Sequence, residues 1–383
     1  MKTLAFRSDF MRGRHMLRAG LFFIGLNACV AIGVSTAYAQ NYHIKDMGLL
    51  PGAKTCEPAA INNQGQVVGT ATAGQYGYAF RYYYNGTEEE MERVGALGSR
   101  AFGISPSGVI VGDALVRKLG LVSHAAFFKG GEAADLGTLE GKMFSRATGI
   151  NAMLAVVGFS GQERDVAKSR AFIWTMNTGM IDIGTLGGDY AQAYAINDAG
   201  WVTGTAQIPE MGARDPAYHA FIYQPLSPTP IHWEPMRDIG TLGGRLSYGM
   251  SINASKHVAG YSTVDGSDDH FHAFFYDGKM IDLGSLIADG FGDSSVALAV
   301  NNSDQVVGFN YILNSSRNGF QQVAFVWNRE GGKMINLNNL IGGWSERFWL
   351  LSAVGVNDHG QIVVSAYDYQ AGMIKALLLT PTK

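Results

Sequence analysis

Five positions in this 383-residue chain carry polar side chains suited to holding a ligand: Glu57, Arg100, Arg146, Gln192 and Tyr248. Each stands four residues before a branched apolar residue that recurs along the sequence, so the five share one place in successive copies of a repeat. The two other copies put Val296 and Ser352 there. Positions common to all copies must serve the repeat's own geometry, whereas a place where copies differ is free to serve a ligand. Two guanidinium groups suit an anion through charge-assisted hydrogen bonds. A lyase would use the same set differently, with Tyr248 exchanging a proton while Arg100 and Arg146 neutralise a uronate carboxylate. Glycosidase chemistry needs two carboxylates about 5 to 10 Å apart. Only Glu57 stands at this register, with Asp189, Asp293 and Glu346 on neighbouring segments, so no pair emerges.

The repeat that positions these residues is countable. Its apolar landmark falls at Ile61, Ile104, Ile150, Ile196, Ile252, Val300 and Val356. Eight residues later come Gly69, Gly112, Gly158, Gly204, Gly260 and Gly308, with Val364 in the seventh copy. Alanine followed by a large apolar residue recurs at Ala79-Phe80, Ala126-Phe127, Ala171-Phe172, Ala220-Phe221, Ala273-Phe274, Ala324-Phe325 and Ala376-Leu377. An Asp-apolar-Gly sequence begins at Asp46, Asp135, Asp182, Asp238 and Asp282, and decays at Arg93 and Asn336. The turn after the apolar landmark carries Asn62, Asn151, Asn197, Asn253, Asn301 or Asn357, a residue whose side chain caps such turns. Glycine follows three residues on at Gly65, Gly200 and Gly360, where positive φ is available. Leu154 in that place predicts a different turn in the third copy.

Each copy reads as four short strands, and seven such units of about fifty residues predict an all-β, seven-bladed β-propeller. A lone fourth strand, Tyr42 to Gly48, opens the mature chain. Three strands around Val354, Ile362 and Leu377 close it without a fourth. Joined, they complete one four-stranded blade and shield edges that would otherwise template aggregation. Crossing segments between blades then bring Glu57, Arg100, Arg146, Gln192 and Tyr248 to the channel mouth. Their mostly small predecessors, such as Ser99, Ser145, Ser247 and Ser295, leave them room, and Trp344, Glu346, Arg347 and Trp349 join them from the last crossing segment.

His219-Ala-Phe221 and His272-Ala-Phe274, with the Asp-aliphatic-Gly-Thr/Ser-Leu run and the Ile-Asn-x-x-Gly turn, resemble the bacterial extracellular HAF repeat from about Tyr42 to the chain's end. The resemblance implies a secreted repeat protein and no particular activity. Tyr78, Ala125, Arg170, Val323 and Lys375 stand in the histidine's place elsewhere, which argues against a shared catalytic histidine. His219 and His272 read as strand-entry residues rather than metal ligands.

A net charge of −3 provides no basic stripe for nucleic acid. P-loop, H-E-x-x-H and G-x-S-x-G patterns are absent. No cofactor is evident; Asp265, Asp268 and Asp269 are candidate oxygen ligands for calcium without EF-hand spacing. Residues 1–39 read as a secretory signal peptide, with arginines, an apolar stretch from Leu21 to Val34, and Ala37-Tyr-Ala39 before Gln40. Residues 40–383 form a single propeller domain without a further membrane span. Only Cys56 remains there, read as a small loop residue, so an internal disulfide is excluded. A periplasmic or extracellular monomer is expected. Its function reads as a binding or interaction module presenting the channel mouth to a glycan or protein, with a secreted lyase or glycosidase as the alternative. Terminal sequencing of the exported protein is expected to begin at Gln40; an intact leader or a lipid on Cys29 would show that residues 1–39 were misread.

Overall fold

The computed structural model describes residues 41–382, apart from residue 75 and residues 118–120, 163–164, 210–215, 225–235, 265–269, 288–293 and 314–318. The expected signal peptide, the Asp265–Asp269 loop and Asp293 lie outside the described residues. Those residues are all β, with two 3₁₀ turns at Leu337–Leu340 and Gly342–Glu346 and no α-helix. Five sheets have four strands each. An eight-stranded sheet consists of two further four-stranded units, residues 191–238 and 243–282, bridged where Tyr218 meets Leu246 in parallel. Within each unit the strands pair antiparallel, in chain order except in the C-terminal sheet, which makes the architecture propeller-like. Tyr42–Asp46 pairs with Met373–Pro381, so the C-terminal sheet takes its fourth strand from the start of the chain. The first strands contact one another in succession, and Phe348–Val356 also contacts Thr55–Ile61.

A backbone bulge explains the glycine landmark. The first strands slip register at Pro58/Ala60, Ala101/Gly103, Ala147/Gly149, Ala193/Ala195, Gly249/Ser251 and Ala297/Ala299. Each bulge pushes a carbonyl against the second strand. A Cβ at Gly112 would lie 1.8 Å from the Arg100 oxygen, and one at Gly204 would lie 2.0 Å from that of Gln192. Only glycine fits such an approach. The seventh copy, with Val364, bulges twice instead, at Leu350/Ser352 and Ala353/Gly355.

Asparagine side chains organise the turns and join the copies. Asn151 Oδ1 accepts from the amides of Met153 and Ala155, and Asn253 does the same with Ser255 and His257. Each Nδ2 reaches the next copy. Asn151 donates to the Asn197 carbonyl at 3.1 Å, Asn197 to Asn253 at 2.8 Å, Asn253 to Asn301 at 3.0 Å, and Asn301 to Asn357 at 2.9 Å. Asn357 donates to the Asn62 carbonyl at 3.1 Å, and Asn62 to that of Ser105, also at 3.1 Å. Ser105 occupies the asparagine position of the second copy and uses its hydroxyl to accept from Val109 N. The third-copy turn does not differ as expected: Leu154 adopts φ 61°, as Lys256 and Asp304 adopt 67° and 57° where other copies have glycine. The Asn151 bonds and the Leu154 N to Asn151 O bond hold that conformation.

Buried aromatic and aliphatic residues pack between neighbouring sheets, among them Phe80, Phe172, Phe221, Phe274, Phe325 and Leu377. Strand pairing corrects the second copy. Gly112 faces Ala126, so the landmark there is His124-Ala125-Ala126 rather than Ala126-Phe127. Cys56 is a fully buried strand residue rather than a loop residue. Replacing Gly204 with alanine is expected to lower urea stability by about 1–3 kcal/mol through overpacking; an unchanged midpoint would contradict the close approach of the Gln192 carbonyl.

Candidate functional site

The same pairing accounts for the histidines. Nδ1 of His124 lies 2.9 Å from Asp135, that of His219 2.7 Å from Asp238, and that of His272 2.9 Å from Asp282. Arg170–Asp182 and Lys375–Asp46 make the equivalent pairs. Each of these aspartates also accepts from the amide of its own Asp-x-Gly glycine, at Gly48, Gly137, Gly184, Gly240 and Gly284. Both partners change together where the pattern decays: Tyr78 lies against Arg93, with 3.8 Å from guanidinium to ring centre, and Val323 replaces the cation where Asn336 replaces the acid. Burial opposes ionisation of Asp238 and Asp282, but their histidines and glycine amides outweigh it and hold both carboxyls below the usual range. These histidines therefore clamp the third strand to the fourth.

The landmark serines also have structural work. Hydroxyls of Ser99, Ser145, Ser247 and Ser295 accept from the amides of Ala79, Ala125, Ala220 and Ala273 in the preceding copies. They stitch copy to copy, which is a firmer reason for small residues there than room for their neighbours.

Two cavities lie where the first strands converge. One, of about 230 Å³, is lined by strand-end and turn residues of all seven copies, including Asn62, Pro106, Ile150, Asn197, Asn253, Asn301 and Asn357. The other, of about 210 Å³, is the candidate site. Glu57, Thr70, Ser352, Ser365 and Gln322 give it polar groups; Tyr261, Phe271, Phe309 and Tyr311 give it aromatic ones, with Met250 and Leu298 between. The aromatic groups form a connected run. Tyr261 and Phe271 have centroids 5.7 Å apart, Phe271 and Tyr311 6.4 Å, and Phe309 and Tyr311 5.3 Å.

The structure divides the five residues expected at the mouth. Glu57 and Arg100 line the cavity together. Arg100 and Arg146 do meet, but on a shared carboxylate: Arg100 grips Asp113 at 2.7 and 2.6 Å, and Arg146 Nε reaches it at 2.9 Å. Asp113 is fully buried. Burial pushes its carboxyl up, the two guanidinium groups pull it down, and the net direction is down. Gln192 is buried, with Oε1 accepting from the Tyr194 hydroxyl at 3.0 Å and Nε2 unpartnered among the described residues. Tyr248 is buried behind the wall, stacked on Tyr261 at 4.6 Å. Of the residues expected from the last crossing segment, Trp349 lies in the strand Phe348–Val356 and is tied by its indole to the Gln322 carbonyl, while Arg347 pairs with Asp368 and Trp344 stacks on Phe348.

Glu57 stands apart from the paired aspartates described above. None of the ion pairs among the described residues includes it, and burial alone pushes its carboxyl up to about 7. A nearby cation would have held it down.

Sequence reasoning missed Asp113 and the aromatic wall. Asp113 and two of the wall residues, Tyr261 and Phe309, were findable by the criterion of divergence between copies. The position just after the glycine landmark reads Thr70, Asp113, Phe159, Thr205, Tyr261, Phe309 and Ser365, and four of these seven line the cavity.

Fold and site together define a propeller-like, all-β repeat protein with a cavity between its first strands. The chain belongs to the family described as Protein of unknown function (DUF3466), which matches residues 137–375. No curated protein matches it in sequence. Among solved structures it is similar to a gluconolactonase from Xanthomonas campestris, at 9% identity over 90% of this chain and 92% of that one, with a TM-score of 0.42. An acylaminoacyl peptidase from Pyrococcus horikoshii is similar at 10% identity over 82% of this chain and 50% of that one, with a TM-score of 0.49. A β-fructofuranosidase from Bombyx mori is similar at 10% identity, over 90% and 91%, with a TM-score of 0.33. No helix among the described residues is long and apolar enough to cross a membrane.

Replacing both Arg100 and Arg146 with alanine would strand Asp113 as a buried charge without its partners. The double variant is expected to lose about 3–5 kcal/mol in a denaturation curve; a curve matching the wild type would mean that the arginines are free surface groups.

Proposed function

We propose that the chain is an exported, seven-bladed propeller of HAF-type repeats that acts as a binding module, holding a ring- or side-chain-sized part of a glycan or protein ligand in the central cavity. Closure is supported by the Asn357 to Asn62 hydrogen bond, by the pairing of Tyr42–Asp46 with Met373–Pro381, and by a cavity that draws on all seven copies. Export rests on the Ala37-Tyr-Ala39 sequence. The observation that carries the binding reading is the meeting of an aromatic wall with Glu57, a carboxyl in no ion pair among the described residues, inside one concave space.

A lyase or glycosidase is less well supported. The uronate-neutralising arginines are engaged by Asp113, and the proposed proton donor Tyr248 lies buried behind Tyr261. Glu57 has no second carboxylate beside it among the cavity-lining residues. Ligand-observed NMR with a library of glycans and small cyclic compounds tests the proposal on the mature protein and on Ala59→Phe, which fills the cavity from its wall. The expected outcome is a set of ligands bound by the wild type, lost in the variant with its melting transition retained, and recovered chemically unchanged. Absence of any cavity-dependent ligand, or conversion of one into products, would overturn the reading.

A further inference from the structure

Resting on that reading of the cavity as a binding site, we infer that its ligand presents an organic ammonium group on a small apolar body, with the positive charge set between Glu57 and the faces of Tyr261, Phe271, Phe309 and Tyr311. The inference follows from what the cavity supplies and what it lacks. The carboxyl of Glu57 is half-buried and takes part in no ion pair among the described residues. Arg100, the one cation lining the cavity among the described residues, is turned to Asp113 by two hydrogen bonds, and it is not among the causes acting on Glu57. Aromatic rings carry negative charge on their faces and attract cations, most strongly where both are desolvated. A carboxylate and several aromatic rings about one small space form the environment in which an ammonium ion is better solvated than a neutral group of the same shape.

Other charged groups on elements packed against Thr55–Ile61 are already paired. Lys375 is held by Asp46 and Asp368, and Asp368 also by Arg347. Tyr311 is pushed above the ordinary phenol range by burial, so it stays neutral near pH 7; Tyr261 is the other phenol lining the cavity among the described residues, and Tyr367 lies on the strand Ile362–Asp368. Among the described residues lining the cavity, Glu57 is thus the group whose charge changes near neutrality. Its carboxyl, at about 7, becomes an anion as pH rises, and an ammonium ligand gains its partner only then.

Calorimetry on the mature protein with benzyltrimethylammonium, cyclohexylamine and neutral cyclohexanol tests this. Both cations are expected to bind at least tenfold more tightly than the alcohol at pH 8. Their affinity should fall roughly tenfold between pH 8 and pH 6 as Glu57 is protonated. Glu57→Gln should remove the pH dependence and most of the cation preference, while cyclohexanol binding persists. Phe309→Leu should weaken benzyltrimethylammonium by about fivefold without altering the pH profile. Equal, pH-independent binding of all three probes would overturn the ammonium assignment and leave the cavity as a binding site. Binding of none, with an intact melting transition, would overturn the cavity reading as well.

Discussion

One carboxamide contact sets the frame for everything else in this fold. Each turn asparagine faces two ways: its oxygen fixes the turn of its own copy, and its nitrogen donates to the corresponding carbonyl of the next copy. Local turn geometry and the spacing between sheets are thereby decided by the same side chain. A hydrogen bond of this kind contributes only about 0.5–1.5 kcal/mol alone, but leaving its buried partners unsatisfied costs more, so the asparagines are hard to replace individually. Ser105 shows the consequence. It holds its own turn with a hydroxyl and accepts from Asn62, yet it is too short to carry both arms of an asparagine.

The frame converges the first strands, and convergence is what creates both the crowded glycines and the cavity. In six copies the bulges turn carbonyls against the second strand, where a glycine makes room for them, and the first strands contribute residues to the cavity. A buried anion follows from that crowding. Asp113 sits where Arg100 and Arg146 approach each other, and it converts two like charges that would repel into a mutually satisfied cluster. With those charges spent on each other, Glu57 is left as the distinctive ionisable group of the cavity.

Much of the fold was legible because repetition supplies its own controls. Seven copies of one pattern expose the strand order, the asparagine turn and the pairing of the first strand with the last, all of which the structure contains. Positive φ at Leu154, Lys256 and Asp304 was not legible, since the turn's hydrogen bonds impose it on residues that do not favour it. The second copy's His124 was misregistered because Ala126-Phe127 imitates the landmark one residue late, and only strand pairing distinguishes them. At the site, type and register found Glu57 and Arg100. They could not show that Asp113, thirteen residues beyond Arg100, would take up both arginines, because side-chain reach across two bulged strands is a three-dimensional property.

The central physical claim is that the first and seventh copies are neighbours, held by the same asparagine contact that joins the others. In the protein carrying Cys29→Ala and Cys56→Ala, cysteines introduced at Asn63 and Asp358, whose side chains now lie 2.7 Å apart, test it directly by mild oxidation and mass spectrometry. An intramolecular disulfide between them, formed in the folded monomer and absent in urea, is the outcome this account requires. Free thiols in the folded protein, or a disulfide found only between molecules, would contradict it.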